Sequence, residues 1–462
     1  MVEISNKTFD EIAIGQHASL QRTLTTDDIA MFSAMSGDTN PAHYDAEHTS
    51  RRHRITGHSM WGVSLISALL GNDLPGAGTV YKRQDISFRS TVEVGDTLTV
   101  AITATGKDPA DHSVAFDCRA VNQRGETVFT GTAEVVAPVE RRRTPRVEVP
   151  EMRLARHHHV FEDMIARCHD RVPVKTAVCH PCDEVSLRGA VEAAEAELIE
   201  PILVGPTERI QDVAGQCGLT ISGMRIEATE HSHDSAARAV ALCRSGEAHA
   251  LMKGSLHTDE MMHEVTDART GLRTARRLSH VFIMDVPTYP RMLLVTDAAV
   301  NIAPDLEAKI DIVQNAIDLA RVLGVDEPRV AILSAVETVT PKIASTLDAA
   351  ALCKMADRGQ ITRGVLDGPL AFDNAISEEA ARIKKIASRV AGRPDILMVP
   401  DLEAGNILAK QLAYLANADA AGIVLGARVP IVLTSRADSA KARLASCAVA
   451  VLCADHGPLP KE

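Results

Sequence analysis

The sequence predicts two units of different class in one chain: an α+β unit over residues 1–137 and a doubly wound, two-lobed α/β unit over residues 155–462, with a linker at 138–154. Three observations lead there. At 462 residues the chain is longer than one hydrophobic core sustains. Up to residue 137 hydrophobic residues alternate or run β-branched between turns, whereas beyond residue 155 short apolar runs alternate with amphipathic helical stretches. Between the two patterns lies PVERRRTPRVEVP, whose three prolines and basic run read as a linker.

In the first unit, TTDDIAMFSAMSG reads as a short helix with Thr25 as cap, Asp28 three residues later and Gly37 as the stop. SGDTNPAHYD follows and places Asp38 and His43 five residues apart with Pro41 between them. On a helix that spacing sends the two side chains to different faces. Pro41 has no N–H and pushes Asn40 out of the helical region, so the stretch is an ordered loop presenting an acid and an imidazole. Asp and His also cap ordinary loops, so the pair alone does not decide a function. HSMWGVSLISALLG, His58 to Gly71, is apolar almost all round and requires a broad partner to bury it. Four strand-like segments near residues 79–89, 96–105, 112–122 and 127–136 supply one. A long helix wrapped by a curved antiparallel sheet is the hot-dog arrangement.

In the second unit HALM, MLLVT, RVAIL, DILMV and PIVLT are short strands, each followed by a polar loop. The stretch APDLEAKIDIVQNAIDLARVLG is helical, with Leu306, Ile310, Val313 and Ile317 on one stripe, Pro304 at its start and Gly324 at its end. Ligands of such folds bind beyond the carboxyl ends of the strands. Lys253, Asp297 with Asn301, Glu337, Asp367, Glu403 with Asn406, and Ser435 with Arg436 are read at those ends. After PIVL, hydroxyls, backbone amides and a guanidinium meet where Asp438 or Ser439 caps a new helix, which makes an anion site. Neither GxxxxGK[ST] nor GxGxxG occurs, which argues against a P-loop triphosphate or a dinucleotide on a Rossmann turn.

Composition narrows the class. A net charge of -12 argues against a nucleic-acid or anionic-membrane surface. No run of 18 apolar residues occurs and the start lacks a basic segment before an apolar core, so a cytoplasmic protein is expected. Nine scattered cysteines suit buried thiols in a reducing compartment. Cys179 and Cys182 form a CxxC without a second pair, and His157, His158 and His159 are adjacent and point apart, so no metal site is expected.

The first unit resembles the MaoC-like, (R)-specific enoyl-CoA hydratase family, from GDTNPAH through HSMWGVSLISALLG to LPGAGTVY and VGDTLTV. The resemblance implies that Asp38 and His43 activate a water that adds across the double bond of an enoyl thioester, one group taking its proton while hydroxide reaches Cβ. It implies an oxyanion contact at the start of the buried helix, where Ser59 stands in place of the family's usual glycine, and a role for Ser67 near the pair. The second unit resembles the phosphate acetyltransferase and phosphate butyryltransferase family through LMKGSLHT, TDAAVNIAPDLEAKIDIVQNA, LSAVETV, LDGPLAFDNAISEEAA, VPDLEAGN and PIVLTSRADSAKARLASCA. This implies acyl transfer between coenzyme A and phosphate, with Arg436 binding phosphate and Ser435 at the reacting centre. Lys253, Thr258, Asp297, Asn301, Asp367, Glu403 and Asn406 are the expected coenzyme-contacting set. The acetyltransferase branch carries an acidic candidate base seven residues after the serine. Here that position is Ala442, with Asp438 as the nearer candidate, and ADSAKARLA leans toward the butyryl branch.

The preferred reading is a bifunctional enzyme acting on coenzyme A thioesters and phosphate as substrates, with no tightly bound cofactor. The alternative is that one half is an idle thioester-binding or oligomerising module, or an acyl-CoA sensor. Asp38, His43, Ser435 and Arg436 count against it. Open sheet edges imply a homo-oligomer, a dimer or higher.

Overall fold

A computed structural model describes residues 3–44, 55–145, 159–433 and 439–455. The chain divides into two compact units, Met1–Leu154 and Ala155–Glu462.

The smaller unit contains β1 (Glu3–Ser5), β2 (His17–Thr23), α1 (Thr26–Ser36), α2 (Ser59–Asn72), β3 (Val80–Phe88), β4 (Thr97–Asp108), β5 (Ser113–Val121), β6 (Thr127–Val136) and β7 (Arg143–Pro145). Five strands pair antiparallel in the order β2-β4-β5-β6-β3. Along β4 every second side chain is buried, the period that puts one face of a sheet on a core. That face receives α2, whose Trp61, Leu65, Ile66, Leu69 and Leu70 pack with Leu98, Ile102, Phe116 and Phe129. The helix comes close because Gly62 has no side chain: a Cβ there would lie 3.2 Å from Leu98 and Phe129. The capping box of α1 is the expected one, with Thr25 and Asp28 bonded reciprocally. Arg143–Pro145, read from sequence as linker, instead pairs with Glu3–Ser5. Strands β1 and β2 lie outside the four segments expected from sequence.

The larger unit contains α3 (Val160–Ala166), β8 (Val174–Cys179), α4 (Glu184–Glu195), β9 (Ile199–Gly205), α5 (Thr207–Cys217), β10 (Arg225–Ala228), α6 (Ser232–Ser245), β11 (Ala250–Lys253) and α7 (Thr258–Thr266). It continues with β12 (Ser279–Asp285), β13 (Leu293–Thr296), α8 (Leu306–Val322), β14 (Arg329–Leu333), α9 (Ala344–Asp357), β15 (Val365–Leu370), α10 (Phe372–Ile376) and α11 (Glu378–Ile383). β16 (Ile396–Met398), α12 (Leu402–Leu415), β17 (Asp419–Leu425), β18 (Ile431–Val432) and α13 (Ala440–Asp455) complete it. Eleven strands form one sheet in the order β10-β9-β8-β11-β18-β17-β12-β13-β16-β14-β15.

The alternating pattern is that of an α/β fold, but the sheet is mixed. β10, β9, β8, β11 and β18 run parallel, as do β13, β16, β14 and β15, while β18/β17, β17/β12 and β12/β13 are antiparallel. Three reversals make the two parallel blocks run in opposite directions, so their carboxyl ends leave the sheet at opposite edges. Helix α8 begins at Leu306 and is capped by Asp305, the residue after the expected Pro304, whose side chain accepts the Ala308 amide at 2.9 Å. Its burial extends well beyond the expected stripe, to Ile312, Asn315, Ala316 and Ala320. Among the described residues no helix is long and apolar enough to cross a membrane.

The chain's single tryptophan, Trp61, lies in α2, so its fluorescence reports on the smaller unit alone. Leu69→Ala, at a fully enclosed position, is expected to destabilise that unit by about 2–5 kcal/mol in denaturant titrations read at Trp61. Gly131→Ala is expected to do so as well, because its Cβ would meet the Asp85 carbonyl oxygen at 2.0 Å. Exposed Ser67→Ala serves as the near-neutral control, and an unchanged midpoint for Leu69→Ala would refute the assigned packing.

Candidate functional site

In the smaller unit, α1 stops at Gly37, whose φ of 76° belongs to the left-handed region that glycine enters readily. Asn40 then accepts the Ala42 amide at 3.1 Å and starts a single 3-10 turn, Pro41–His43. The turn swings His43 back toward Asp38, bringing Nε2 to 3.6 Å from Oδ2. The predicted loop therefore does converge its acid and its imidazole. Asp38 faces solvent, while His43 is largely enclosed.

The ring of His43 has a defined proton. Its Nδ1 lies 2.6 Å from the Thr56 carbonyl oxygen, which can only accept, so Nδ1 donates and the lone pair sits on Nε2, facing Asp38. Beneath it stacks His58, with ring centroids 3.8 Å apart. His58 is buried, and its Nε2 donates to the Asp38 carbonyl at 3.1 Å, with Ser33 Oγ at 3.2 Å. The stacked rings thus carry their protons on opposite nitrogens. His58 was not among the sequence-derived site residues. Its signal was an imidazole in the N-cap position of a buried helix, where it makes no capping bond.

Asp38, His43 and His58 offer one ligand atom each within 4.8 Å of one another, a set that could hold a divalent ion. The Nε2–H of His58 is committed to a carbonyl, however, which leaves that nitrogen without the lone pair a metal requires. Ser59 is the exposed first residue of α2, and the amides of this turn sit at the positive end of the helix. Ser67 is exposed farther along α2, and no hydrogen bond joins it to the Asp38–His43–His58 group.

In the larger unit the expected residues form two groups rather than one. Lys253 ends β11 and Thr258 opens α7 at one edge of the sheet. Asp297, Asn301 and Asn406 meet at the opposite edge. The Asp297 carboxylate accepts the amides of Ala299, Val300 and Asn301 at 3.0–3.1 Å and also the Asn301 side chain, so both oxygens are occupied. Asn406 donates to the Ala298 carbonyl at 3.2 Å. Asp297 is therefore the anchor of its loop and not a free ligand. Asp367 lies inside β15 rather than beyond it, accepting the Gly368 amide at 2.9 Å. Glu403 is exposed in the first turn of α12, and Glu337 is held at 3.2 Å by both Asn374 and Lys384.

Ser435, Arg436 and Asp438 lie outside the described residues. The strand that leads into them, β18, pairs with β11 through Leu251↔Ile431 and Met252↔Val432, on the Lys253 side. Ser439, one of the two candidate caps of α13, accepts the Ala442 amide at 3.1 Å. A feature missed in sequence is the guanidinium-lined cavity of about 500 Å³ formed by Arg273, Arg276 and Arg277 with Asn301. Arg277 donates to Asn301 Oδ1 at 2.7 Å, and Arg276 pairs with Asp318. The run TARRLS was its signal. The CxxC is structural: burial pushes the Cys182 thiol up to about 11 and that of Cys179 higher still.

Two family profiles match the chain, one within each unit. The family profile described as "MaoC like domain" matches residues 10–122, and that described as "Phosphate acetyl/butaryl transferase" matches residues 223–451. A phosphate acetyltransferase of Rhizobium meliloti is 66% identical over 294 residues, spanning 64% of this chain and 93% of the relative. A phosphate butyryltransferase of Clostridium acetobutylicum is 40% identical over 296 residues, 64% of this chain and 98% of the relative. The crystal structure of a branched-chain phosphotransacylase from Enterococcus faecalis superimposes with a TM-score of 0.54 at 30% identity, covering 61% of this chain and 99% of the other.

The assigned protons are directly measurable. In long-range proton–nitrogen correlation spectra of histidine-labelled protein, His43 should show the Nδ1-protonated form and His58 the Nε2-protonated form. The same tautomer on both rings would contradict the hydrogen-bond assignment.

Proposed function

Since the chain belongs to the phosphate acetyl/butyryltransferase family and carries a MaoC-like domain ahead of that family's own, we propose that it is a bifunctional enzyme. Residues 155–462 exchange an acyl group between coenzyme A and phosphate, and residues 1–137 hydrate a 2-enoyl-CoA to a 3-hydroxyacyl-CoA. The observation that carries the first activity is the 66% identity over 93% of an acetyltransferase relative. The butyryltransferase relative stands at 40%, so acetyl is the favoured acyl group despite the butyryl-like ADSAKARLA.

For hydration the supporting geometry is the gap of 3.6 Å between Asp38 Oδ2 and His43 Nε2. It is too long for a direct hydrogen bond and suits two acceptors sharing one substrate water at about 2.8 Å from each. His43 Nε2 takes a proton from that water, hydroxide adds to Cβ, and the same proton passes from Nε2 to Cα, so that one water is added and none of its atoms is left over. Charge on the thioester oxygen is met by the first amides of α2, where Ser59 stands.

For transfer, Arg436 grips phosphate through paired N–H bonds and Ser435 steadies the reacting centre. Asp438 is assigned as a carboxylate near the phosphate. Lys253 and Thr258, at the edge that β18 approaches, are assigned to coenzyme contacts, whereas Asn301, Asp367, Glu403 and Asn406, expected with them, belong to the block whose carboxyl ends leave at the opposite edge, with Asp297 shaping the loop that presents Asn301. No tightly bound cofactor is required. The assembly is a homo-oligomer, dimer or higher: edge strand β3 presents Val80 and Phe88 at 60% and 44% exposure, an edge that pairing would cover.

Asp38→Asn and His43→Ala should each slow crotonyl-CoA hydration by about a hundredfold or more while phosphate-dependent release of coenzyme A continues. Wild-type hydration in Asp38→Asn would end the hydratase assignment. Arg436→Lys keeps the charge and loses the fork, so the KM for phosphate should rise far more than that for acetyl-CoA; unchanged phosphate kinetics would remove Arg436 from the site. Light scattering should give a mass of at least twice 49.5 kDa at micromolar concentration, and a monomer there would refute the assembly.

A further inference from the structure

We propose that His180 is the acid–base group of the phosphate–thioester exchange, an inference that rests on the transacylase reading above and fills the role that Ala442 leaves vacant. His180 follows the last residue of β8 and stands at the carboxyl edge shared by β8, β11 and β18. Cys179 lies opposite Lys253, so the imidazole is one strand spacing from Lys253 and two, about 10 Å, from the end of β18.

Its backbone is held in a conformation that non-glycine residues rarely adopt, with φ at 57°. The amide donates to Val204 at 2.7 Å, and the carbonyl accepts from both the amide and the hydroxyl of Ser255 at 2.9 and 2.8 Å. Gly254 passes so close that a Cβ there would sit 2.6 Å from the His180 carbonyl oxygen. Several contacts thus fix one residue in an unfavourable shape, a pattern found where position matters to chemistry.

The ring shows which nitrogen is reactive. Nδ1 lies 2.9 Å from Ser235 Oγ. That hydroxyl has one proton, which goes to the His231 carbonyl at 2.9 Å, with Thr229 Oγ1 at 2.8 Å as a further partner. Ser235 Oγ therefore accepts from Nδ1–H, and the lone pair is on Nε2, which no described residue engages. His180 is 8% exposed and anchored at one nitrogen only. Burial, and next the Arg209 guanidinium, hold the imidazole below its ordinary 6.5, against the opposing pull of Glu260 and Asp183. The base form is thus present at neutral pH and is lost as pH falls through that lowered value.

In the direction of acyl-phosphate formation, an oxygen of hydrogen phosphate attacks the thioester carbonyl carbon. The acyl C–O bond forms and the C–S bond breaks. The phosphate proton passes to Nε2 and from there to the departing sulfur, giving acyl phosphate and the free thiol with no proton gained or lost overall.

The test uses the full chain and follows thiol release from acetyl-CoA and phosphate across pH 5 to 9. His180→Asn is the informative variant because asparagine tolerates positive φ. It should lower kcat by about a hundredfold, change both KM values by less than about threefold, and erase the acid limb of the wild-type profile. Should His180→Asn fail to fold by circular dichroism, Ser235→Ala carries the test: freeing the tautomer should lower kcat several-fold at unchanged KM. Near-wild-type kcat in His180→Asn, or in Ser235→Ala where that variant decides, overturns the proposal. So does an acid limb that survives in His180→Asn and disappears in Asp438→Asn. Absence of phosphate-dependent thiol release in the wild type would instead defeat the transacylase reading itself.

Discussion

The seven-residue antiparallel ladder between β12 and β17, from Ser279↔Leu425 to Asp285↔Asp419, is the joint on which the larger unit is built. It sits between two parallel blocks and forces them to run in opposite directions. A parallel block on either side would carry all its polar loops at one edge. Because the joint reverses the second block, Lys253 and the approach to Ser435 face one way, whereas the Asp297–Asn301–Asn406 group and the arginine-lined cavity face the other. Each set of loops is then free to specialise. The first has a strained histidine and a lysine, and the second has a saturated carboxylate that shapes backbone.

The same chemical device occurs in both units. In His43 the Thr56 carbonyl fixes the proton on Nδ1, and in His180 a serine whose own proton is taken by a carbonyl does so. Each leaves a basic Nε2 aimed away from its anchor. His280 supplies the contrast. It is wholly enclosed on β12, its Nδ1 has no partner, and burial pushes its imidazole down to about 4. An imidazole in that setting stays neutral and packs edge-on against Phe282.

Much of this was legible in the sequence because short-range rules decided it. The capping box at Thr25, the Pro41 turn and four strands of the smaller unit follow from local periodicity and turn chemistry. The Asp38–His43 convergence was readable because proline excluded the helix that would have separated the two. What escaped depended on long-range pairing. Nothing in the run of Arg143–Pro145 says that it pairs with Glu3–Ser5, and strand direction in the larger sheet is set by crossovers that no local pattern records. Asp297 looked like a ligand because acids at strand ends often are. Only the four bonds it accepts reveal that its charge is already used. His58 and His180 escaped for a related reason: each lies beside an apolar element, where a single histidine carries no periodic signal.

The placement of β18 has a bearing on biosynthesis. This strand, residues 431–432, is the last of the described strands in sequence yet lies in the interior of the sheet, between β11 and β17. A ribosome delivers the amino-terminal unit first, and that unit can close its own sheet while the rest is still being made. The larger unit must wait, with the edges of β11 and β17 open, until residues 431–432 have been translated. Premature termination anywhere before residue 431 would therefore release a chain with one finished half and one half whose central seam has never been joined.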